Sequence, residues 1–315
     1  MIVTFTPNPS LDRAITIPQL RRGEVIRATS SRVDPGGKGV NVARALAAQG
    51  ADTIAVLPSG GAEGRMMEEL LREAGVTAVT TPVEGSLRMN ISVLEPDGTT
   101  TKLNEPGPEL DDETVARLLA TTFDASSPGS WVVGCGSLPP GAPPDLYATL
   151  TDSAHAAGLK VAIDSSGAPM AHAVAARPDL IKPNHEELEE VVGEVLDTLG
   201  DVVDAARALN ADGIGTVAVS LGGDGAILVT ADSVVHARAT IESPISTVGA
   251  GDCMLAGLLY GLSRGQSPAD ALAAAVTWGA AAVTLPGSRV PTPADLAGIP
   301  VTVSQSLHRE RVLRR

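Results

Sequence analysis

Aromatic side chains are nearly absent: two Phe, two Tyr and two Trp in 315 residues. Platforms that stack the bases of single-stranded nucleic acid are built from aromatics, so that mode of binding is disfavoured. Basic residues are in deficit as well. Lys and Arg number 23 against 37 Asp and Glu, a net charge of −14. Such a balance repels phosphate backbones and anionic lipid unless a local basic stripe intervenes, and the body of the chain has none. Only two cysteines occur, Cys135 and Cys253. They are too few for a disulfide framework in a chain of this length, which points to a reducing compartment. No stretch reaches the ~20 apolar residues of a membrane span; the least polar run, Ala271 to Leu285, contains two threonines and a glycine. The opening Met1-Ile-Val-Thr-Phe5 has no basic lead and reads as a strand, not a leader. The expectation is a cytoplasmic protein without nucleic-acid or membrane partners.

What is present is the alternation of an α/β protein. Short β-branched runs (Ile54–Leu57, Trp131–Val133, Val161–Ile163, Leu180-Ile181, Val217–Val219) alternate with longer Ala- and Leu-rich stretches. That order predicts βαβ units and a mostly parallel sheet covered on both faces. Gly50, Gly75, Gly158 and Gly265 each follow a helical pattern, where a left-handed residue closes a helix. Two stretches, about 12–34 and 87–104, alternate polar and apolar residues instead, as strands with one wet face do. They form either a small antiparallel lid, discontinuous in sequence, or an antiparallel edge of the main sheet. Residues 1–300 read as one domain, and 301–315 as a frayed, Arg-rich tail.

The strongest chemical motif is Thr247-Val-Gly-Ala-Gly-Asp252 leading into an apolar helix. Gly249, Ala250 and Gly251 let the chain turn tightly into the helix, whose first amides are left to face an anion such as phosphate. Asp252 at its lip can accept a proton from an attacking hydroxyl, or can simply cap the helix. The helix N-terminus is expected to lower its pKa. Cys253 beside it reads as a small packing residue. A second glycine-rich turn, Asp34-Pro-Gly-Gly-Lys-Gly-Val-Asn-Val-Ala-Arg44, also opens a helix and sets Lys38 and Asn41 on one face. It lacks the spacing and the hydroxyl of a Walker A loop.

Polar groups also follow predicted strands, where open sheets bind ligands: Ser137, Lys182, Asn184, Glu187, and Ser220 before Gly222-Gly223-Asp224-Gly225. Asn184 and Glu187, three apart, are candidates to order Mg²⁺ through water. Arg88 and Asn90 fall on the lid stretch, where an arginine can clamp a substrate phosphate.

Taken together, Thr6-Pro-Asn-Pro-Ser-Leu-Asp12, Pro35 to Ala43, Gly136-Ser-Leu-Pro-Pro-Gly141, Lys182-Pro-Asn184 and Ser246 to Asp252 resemble the ribokinase-like (PfkB) family of carbohydrate kinases, from Val3 to about Asp295. Within it the chain looks like the phosphosugar branch. Lys38 and the Asn104-Glu-Pro-Gly-Pro108 turn are most similar to kinases that phosphorylate fructose 1-phosphate at O6; kinases of fructose 6-phosphate or tagatose 6-phosphate are the alternatives. The resemblance implies a Rossmann-like, doubly wound α/β domain with a small discontinuous β-sheet lid, ATP with Mg²⁺ as donor and a homodimer through the lid. It implies sugar binding by Asp12 and Asn41 with Gly36 and Gly37, and by Ser137. Lys38 and Arg88 would hold the phosphate already on the sugar, with Asn90 nearby. Lys182, Asn184, Ser220, Gly222, Gly223, Gly225, Thr247 and Gly279 would face ATP. Gly249 to Gly251 would form the anion hole and Asp252 the base. A K⁺ site is implied by Ser246, Val248, Ala282, Gly287 and Arg289, with Leu285 departing from the pattern. Two other classes remain: a nicotinamide dehydrogenase, for which no G-x-G-x-x-G turn is present, and a catalytically inactive sugar-phosphate sensor.

Overall fold

A computed structural model describes residues 1–314; Arg315 lies outside the described residues. The chain opens with the buried strand β1 (Ile2–Phe5), followed by β2 (Ser10–Thr16), β3 (Ser30–Gly36) and helix α1 (Lys38–Ala48). Next come β4 (Thr53–Ser59), α2 (Gly61–Glu73) and β5 (Thr77–Pro82), then β6 (Arg88–Leu94) and β7 (Thr100–Asn104). From α3 (Asp112–Asp124) the alternation is regular: β8 (Trp131–Cys135), α4 (Leu146–Ala156), β9 (Lys160–Asp164), α5 (Gly167–Ala175), β10 (Leu180–Ile181), α6 (His185–Val192), α7 (Leu199–Ala211) and β11 (Thr216–Ser220). A meander of β12 (Ala226–Thr230) and β13 (Val234–Ala239) precedes the apolar helices α8 (Ala250–Ser263) and α9 (Pro268–Val283). A short α10 (Pro293–Leu296) and β14 (Val301–Ser304) close the chain.

Ten strands form one sheet, ordered β14-β13-β12-β11-β10-β9-β8-β1-β4-β5. The strands from β11 through to β5 are parallel, and β12 to β14 extend the sheet in antiparallel fashion. Alternation along β1 splits the core between two layers. Val3 and Phe5 pack with Leu118, Tyr147 and Leu150 on one face, and Ile2 with Leu46, Leu255 and Trp278 on the other. Each such side chain, fully buried, contributes about 1.5–3 kcal/mol. Chain order reverses at β1, one branch running to β4 and β5 and the other through β8 to β11. In doubly wound sheets the crevice beyond the carboxyl ends of the strands at such a reversal holds the ligand.

The lid is a separate four-stranded sheet, ordered β3-β2-β6-β7, not an edge of the main one. Its outer pairs are antiparallel, but the central β2–β6 pair is parallel, which corrects the all-antiparallel expectation. The reason is topological. β2 follows β1 and β6 follows β5, so both leave parallel strands of the main sheet in the same direction. Val25, expected in a strand, lies in the preceding loop and is 95% exposed. Leu11, Val40, Leu57, Met67, Leu71 and Leu87 form a small third core that roots the lid.

The tail does not fray. Val301–Ser304 pairs with β13, and Leu313, only 7% exposed, packs into the larger core. A dense run of charges between the apolar anchors Leu307 and Leu313 hid this in the sequence. No helix among the described residues is long and apolar enough to cross a membrane. Both cysteines are free and buried.

Candidate active site

The two glycine-rich turns meet. Gly37, with φ of 100°, opens α1, and Gly249, with φ of 77°, opens α8; neither helix start carries a side-chain cap. Asn41, one turn into α1, donates from Nδ2 to Asp252 Oδ2 at 2.8 Å. The amide is held in that orientation by buried Arg44, which donates to Asn41 Oδ1 at 3.1 Å and to the carbonyls of Pro35 and Ser288. At the start of α8 the first intrahelical bond runs from Cys253 N–H to Gly249 O. No acceptor among the described residues takes the N–H of Gly251 or Asp252. Those amides are left bare, as the sequence motif predicts, and a helix start of this kind can receive an anion.

Asp252 is only 7% exposed. Burial, and then the negative charge of Asp164, push its pKa up to about 6 against the Asn41 hydrogen bond and the ammonium groups of Lys38 and Lys182. The expected lowering is thus reversed. A helix N-terminus is worth about 0.3–1 kcal/mol, whereas a rise of two pKa units is roughly 3 kcal/mol. Burial wins, and the acid becomes a stronger base than a solvated aspartate. The Cys253 thiol is pushed up to about 12 by burial and by Asp252, as suits a packing residue.

Asp164, fully buried at the end of β9, organises the cations. Lys38 Nζ lies 2.7 Å from its Oδ1 and 3.5 Å from Glu187 Oε1, and Lys182 Nζ lies 3.0 Å from its Oδ2. Burial works against this charge, but Lys182 and Lys38 hold the carboxyl below its usual range. Burial also opposes the Lys38 charge, which Asp164 and Glu187 keep well above the normal lysine value. Lys182 Nζ sits 3.4 Å from where a Cβ on Gly251 would lie, so this ammonium borders the anion site directly. The same strand-end position that singles out Ser137 and Ser220 belongs to Asp164, so its signal was in the sequence.

The lid supplies a second polar cluster. Register sets Asp12 opposite Asn90, and Asp12 Oδ1 accepts from Asn90 Nδ2 at 3.1 Å and from Ser10 Oγ at 2.8 Å. Burial raises the Asp12 pKa despite these bonds. Gly36 has no room for a side chain, because a Cβ would fall 2.3 Å from Asp12 Oδ2. Arg88 is not a solvated strand arginine: its Nη2 donates to Asn8 O at 3.0 Å, and burial lowers its pKa against the pull of Asp12. Asn8, buried just beyond β1, donates to Pro106 O at 3.1 Å and lies 3.4 Å from Ser137 Oγ. It ties the lid to the β1–β8 crevice, a linking role the motif Thr6-Pro-Asn-Pro9 did not reveal.

The remaining predicted residues divide. Ser220 ends β11 and bridges to Asn184, while Gly222 and Gly223 face open space and Thr247 is exposed before α8. Gly225 and Gly279 are closely packed on the side where a Cβ would stand. A Cβ on Gly225 would meet Ala237 O at 2.1 Å, and one on Gly279 would meet Ala250 O and Met254 Cβ at 3.2 Å. Asn184 and Glu187 form a capping box at the start of α6, Glu187 N–H donating to Asn184 Oδ1 at 2.7 Å and Asn184 N–H to Glu187 Oε2 at 2.8 Å. The N-x-x-E spacing is that of a helix cap. No group of three or more His, Cys, Asp or Glu among the described residues could hold a metal ion.

A basic carboxylate poised over unpaired amides, within hydrogen-bonding reach of a second glycine turn, is the equipment of a phosphotransferase that acts on a hydroxyl. Comparison with known proteins narrows that class. The family profile "pfkB family carbohydrate kinase" matches residues 8–295. A 1-phosphofructokinase of Rhodobacter capsulatus is 36% identical over 96% of each chain, and one of Xanthomonas campestris pv. campestris is 41% identical over 82% of this chain and 83% of its own. The crystal structure of phosphofructokinase-2 from Escherichia coli in complex with potassium superposes with a TM-score of 0.90 at 31% identity, covering 95% of this chain and 97% of that one. The chain belongs to the pfkB family of carbohydrate kinases. It is an enzyme that phosphorylates a sugar phosphate with ATP as donor.

Proposed function

We propose that this kinase transfers the γ-phosphoryl group of ATP to O6 of D-fructose 1-phosphate, giving fructose 1,6-bisphosphate. The observation that carries the chemistry is the 2.8 Å Asn41–Asp252 hydrogen bond, which joins a sugar-binding turn to an acid and an anion site. The choice of sugar is supported by relatives named 1-phosphofructokinase.

In this reading Asp12, Asn41 and Asn90 hold the sugar hydroxyls beside Gly36 and Gly37, with Ser137 at the rim. Arg88 and Lys38 take the phosphate already present, Lys38 exchanging part of its contact with Asp164 for it. Lys182, Ser220, Gly222, Gly223 and Thr247 border the nucleotide. Asp252 receives the O6 proton as O6 bonds to the γ-phosphorus and the bond to the bridging oxygen of ADP breaks. The amides of Gly251 and Asp252, with Lys182, neutralise charge on the oxygens in transit. The transition state is loose, so placement and charge do most of the work.

Magnesium accompanying ATP would add positive charge between the phosphates. Asn184 and Glu187 fit it only through water, because the oxygens they would offer already serve the α6 cap and Lys38. A potassium site at Ser246, Val248, Ala282, Gly287 and Arg289 is part of the proposal, supported by the potassium complex of the similar phosphofructokinase-2 from Escherichia coli. A homodimer through the lid is part of the proposal, supported by exposed apolar residues there such as Val25 and Leu103, the latter 58% exposed.

The test is kcat/KM on fructose 1-phosphate, fructose 6-phosphate and tagatose 6-phosphate. A preference of about 10-fold or more, near 1.4 kcal/mol, for the first is expected. The same preference for a 6-phosphate sugar would transfer the assignment to that sugar. Absence of ATP turnover on all three would favour the sensor.

A further inference from the structure

We infer that residues 307–314 form a strap that positions the loop Leu221–Gly225, with Arg311 acting through Asp224. The inference rests on the proposed reading of that loop as part of the nucleotide site. On its outer side the loop is bare: apart from each glycine and its chain neighbours, no atom of the described residues lies within 4 Å of where a Cβ on Gly222 or Gly223 would stand. Glycines give such a backbone wide conformational freedom, so its shape must be imposed from within.

The inner side shows how. Arg238 Nε donates to Gly223 O at 3.0 Å, His236 Nε2 lies 2.8 Å from Asp224 O, and Gly225 presses on Ala237. These restraints come from β13, the neighbouring strand. The Asp224 carboxylate, in a residue only 2% exposed, is held from elsewhere. The Arg311 guanidinium pairs with Oδ1, and the Arg314 N–H donates to Oδ2 at 3.0 Å.

The strap is anchored independently of the loop. The first amides of α7 find their acceptors on it: Gly200 N–H donates to Arg309 O at 2.8 Å and Leu199 N–H to Arg311 O at 2.9 Å. Leu313 N–H donates to Asp197 O at 3.0 Å, and its side chain enters the core. The Arg311 main chain is therefore fixed to α7 while its side chain reaches the glycine loop. A buried carboxylate stripped of its cation is strongly disfavoured. Without Arg311, Asp224 turns outward and takes the two open glycines with it.

The experiment uses the full chain, with steady-state kinetics and equilibrium binding of a non-hydrolysable ATP analogue. Arg311→Ala is expected to raise the ATP KM and the analogue Kd about 10-fold, with kcat and the sugar-phosphate KM changed by less than about twofold. Arg311→Lys, which keeps the charge but not the planar fork, should weaken the analogue about threefold and serves if the alanine variant does not fold. Arg309→Ala removes an exposed pair with Asp204 on the same strap and should leave nucleotide affinity unchanged. Unaltered analogue binding in both Arg311 variants, or an equal loss of sugar-phosphate affinity, overturns the inference. Gly223→Val separates the two levels by placing a side chain in the open space. Normal analogue binding there would show that the loop does not face nucleotide, and the underlying reading fails. Weakened binding there with intact binding in Arg311→Ala leaves the reading standing and removes the strap alone.

Discussion

Helices α1 and α8 begin alike and carry opposite charges. Each opens on a glycine with positive φ and lacks a side-chain cap, whereas α6 and α7 both start with a capping box. A cap is worth about 1 kcal/mol, so both helix starts forgo a stabilisation that the fold uses elsewhere. The first turn of α1 presents Lys38, and that of α8 presents Asp252. In the proposed reading the difference separates grip from chemistry: one turn offers a cation and an amide to a substrate that is already charged, the other offers bare N–H groups and a base to the group that moves. Asn41 links them, one turn into α1 and bonded to the acid of α8.

The comparison can be broken most sharply at Asp252. Asp252→Asn keeps the shape and an acceptor for Asn41 but removes the base. Single-turnover kinetics should show kcat lower by about 10³-fold or more, with sugar-phosphate Kd unchanged by calorimetry. Near-normal kcat would leave the carboxylate as a mere acceptor for Asn41. Gly251→Val tests the bare amides. Its Cβ would stand 3.4 Å from Lys182 Nζ, and kcat should fall about 100-fold with little change in Tm. Lys38→Ala tests the other helix: the sugar-phosphate KM should rise about 10-fold while kcat stays within about threefold. A collapse of kcat instead would mean that the α1 cation serves the migrating group, and the division between the helices would dissolve.

The smallest effect is a matter of pH. Asp252 must be ionised to accept a proton and its pKa is raised to about 6, so kcat/KM should decline as pH falls below 6. Stability moves the other way. The folded protein holds this proton more tightly than the unfolded chain, so the Asp252 contribution to stability decreases as pH rises from about 4 to 6. Thermal melts of Asp252→Asn across that range should lack this decrease and give a slightly higher Tm at pH 7.

Much of this was written in local pattern. Alternating runs specify the doubly wound sheet, and the glycine turns specify both open helix starts, because each depends only on near neighbours. What depends on distant partners was hidden. The lid strands were visible by polarity, but the parallel β2–β6 pairing follows from where β1 and β5 end. Asn184 and Glu187 share a spacing that suits both a water-held cation and a cap, and the bonds that make the cap show only in the structure. The helix dipole at Asp252 is a sequence-level fact, while the burial that overrides it comes from tertiary packing. Asp164 stood in plain view at a strand end, yet its importance lies in two lysines that reach it from 126 residues before and from the next strand.

That shared carboxylate has a consequence for selectivity among solutes. It is a tethered counter-ion, present beside both ammonium groups at a high effective concentration. At Lys38 a simple dissolved anion, such as sulfate or inorganic phosphate, must compete with it and brings no hydroxyls to engage the lid. In the proposed reading a ligand that also engages the lid through its hydroxyls outbids the internal carboxylate, so the pair would discriminate in favour of molecules that carry both a phosphate and a sugar.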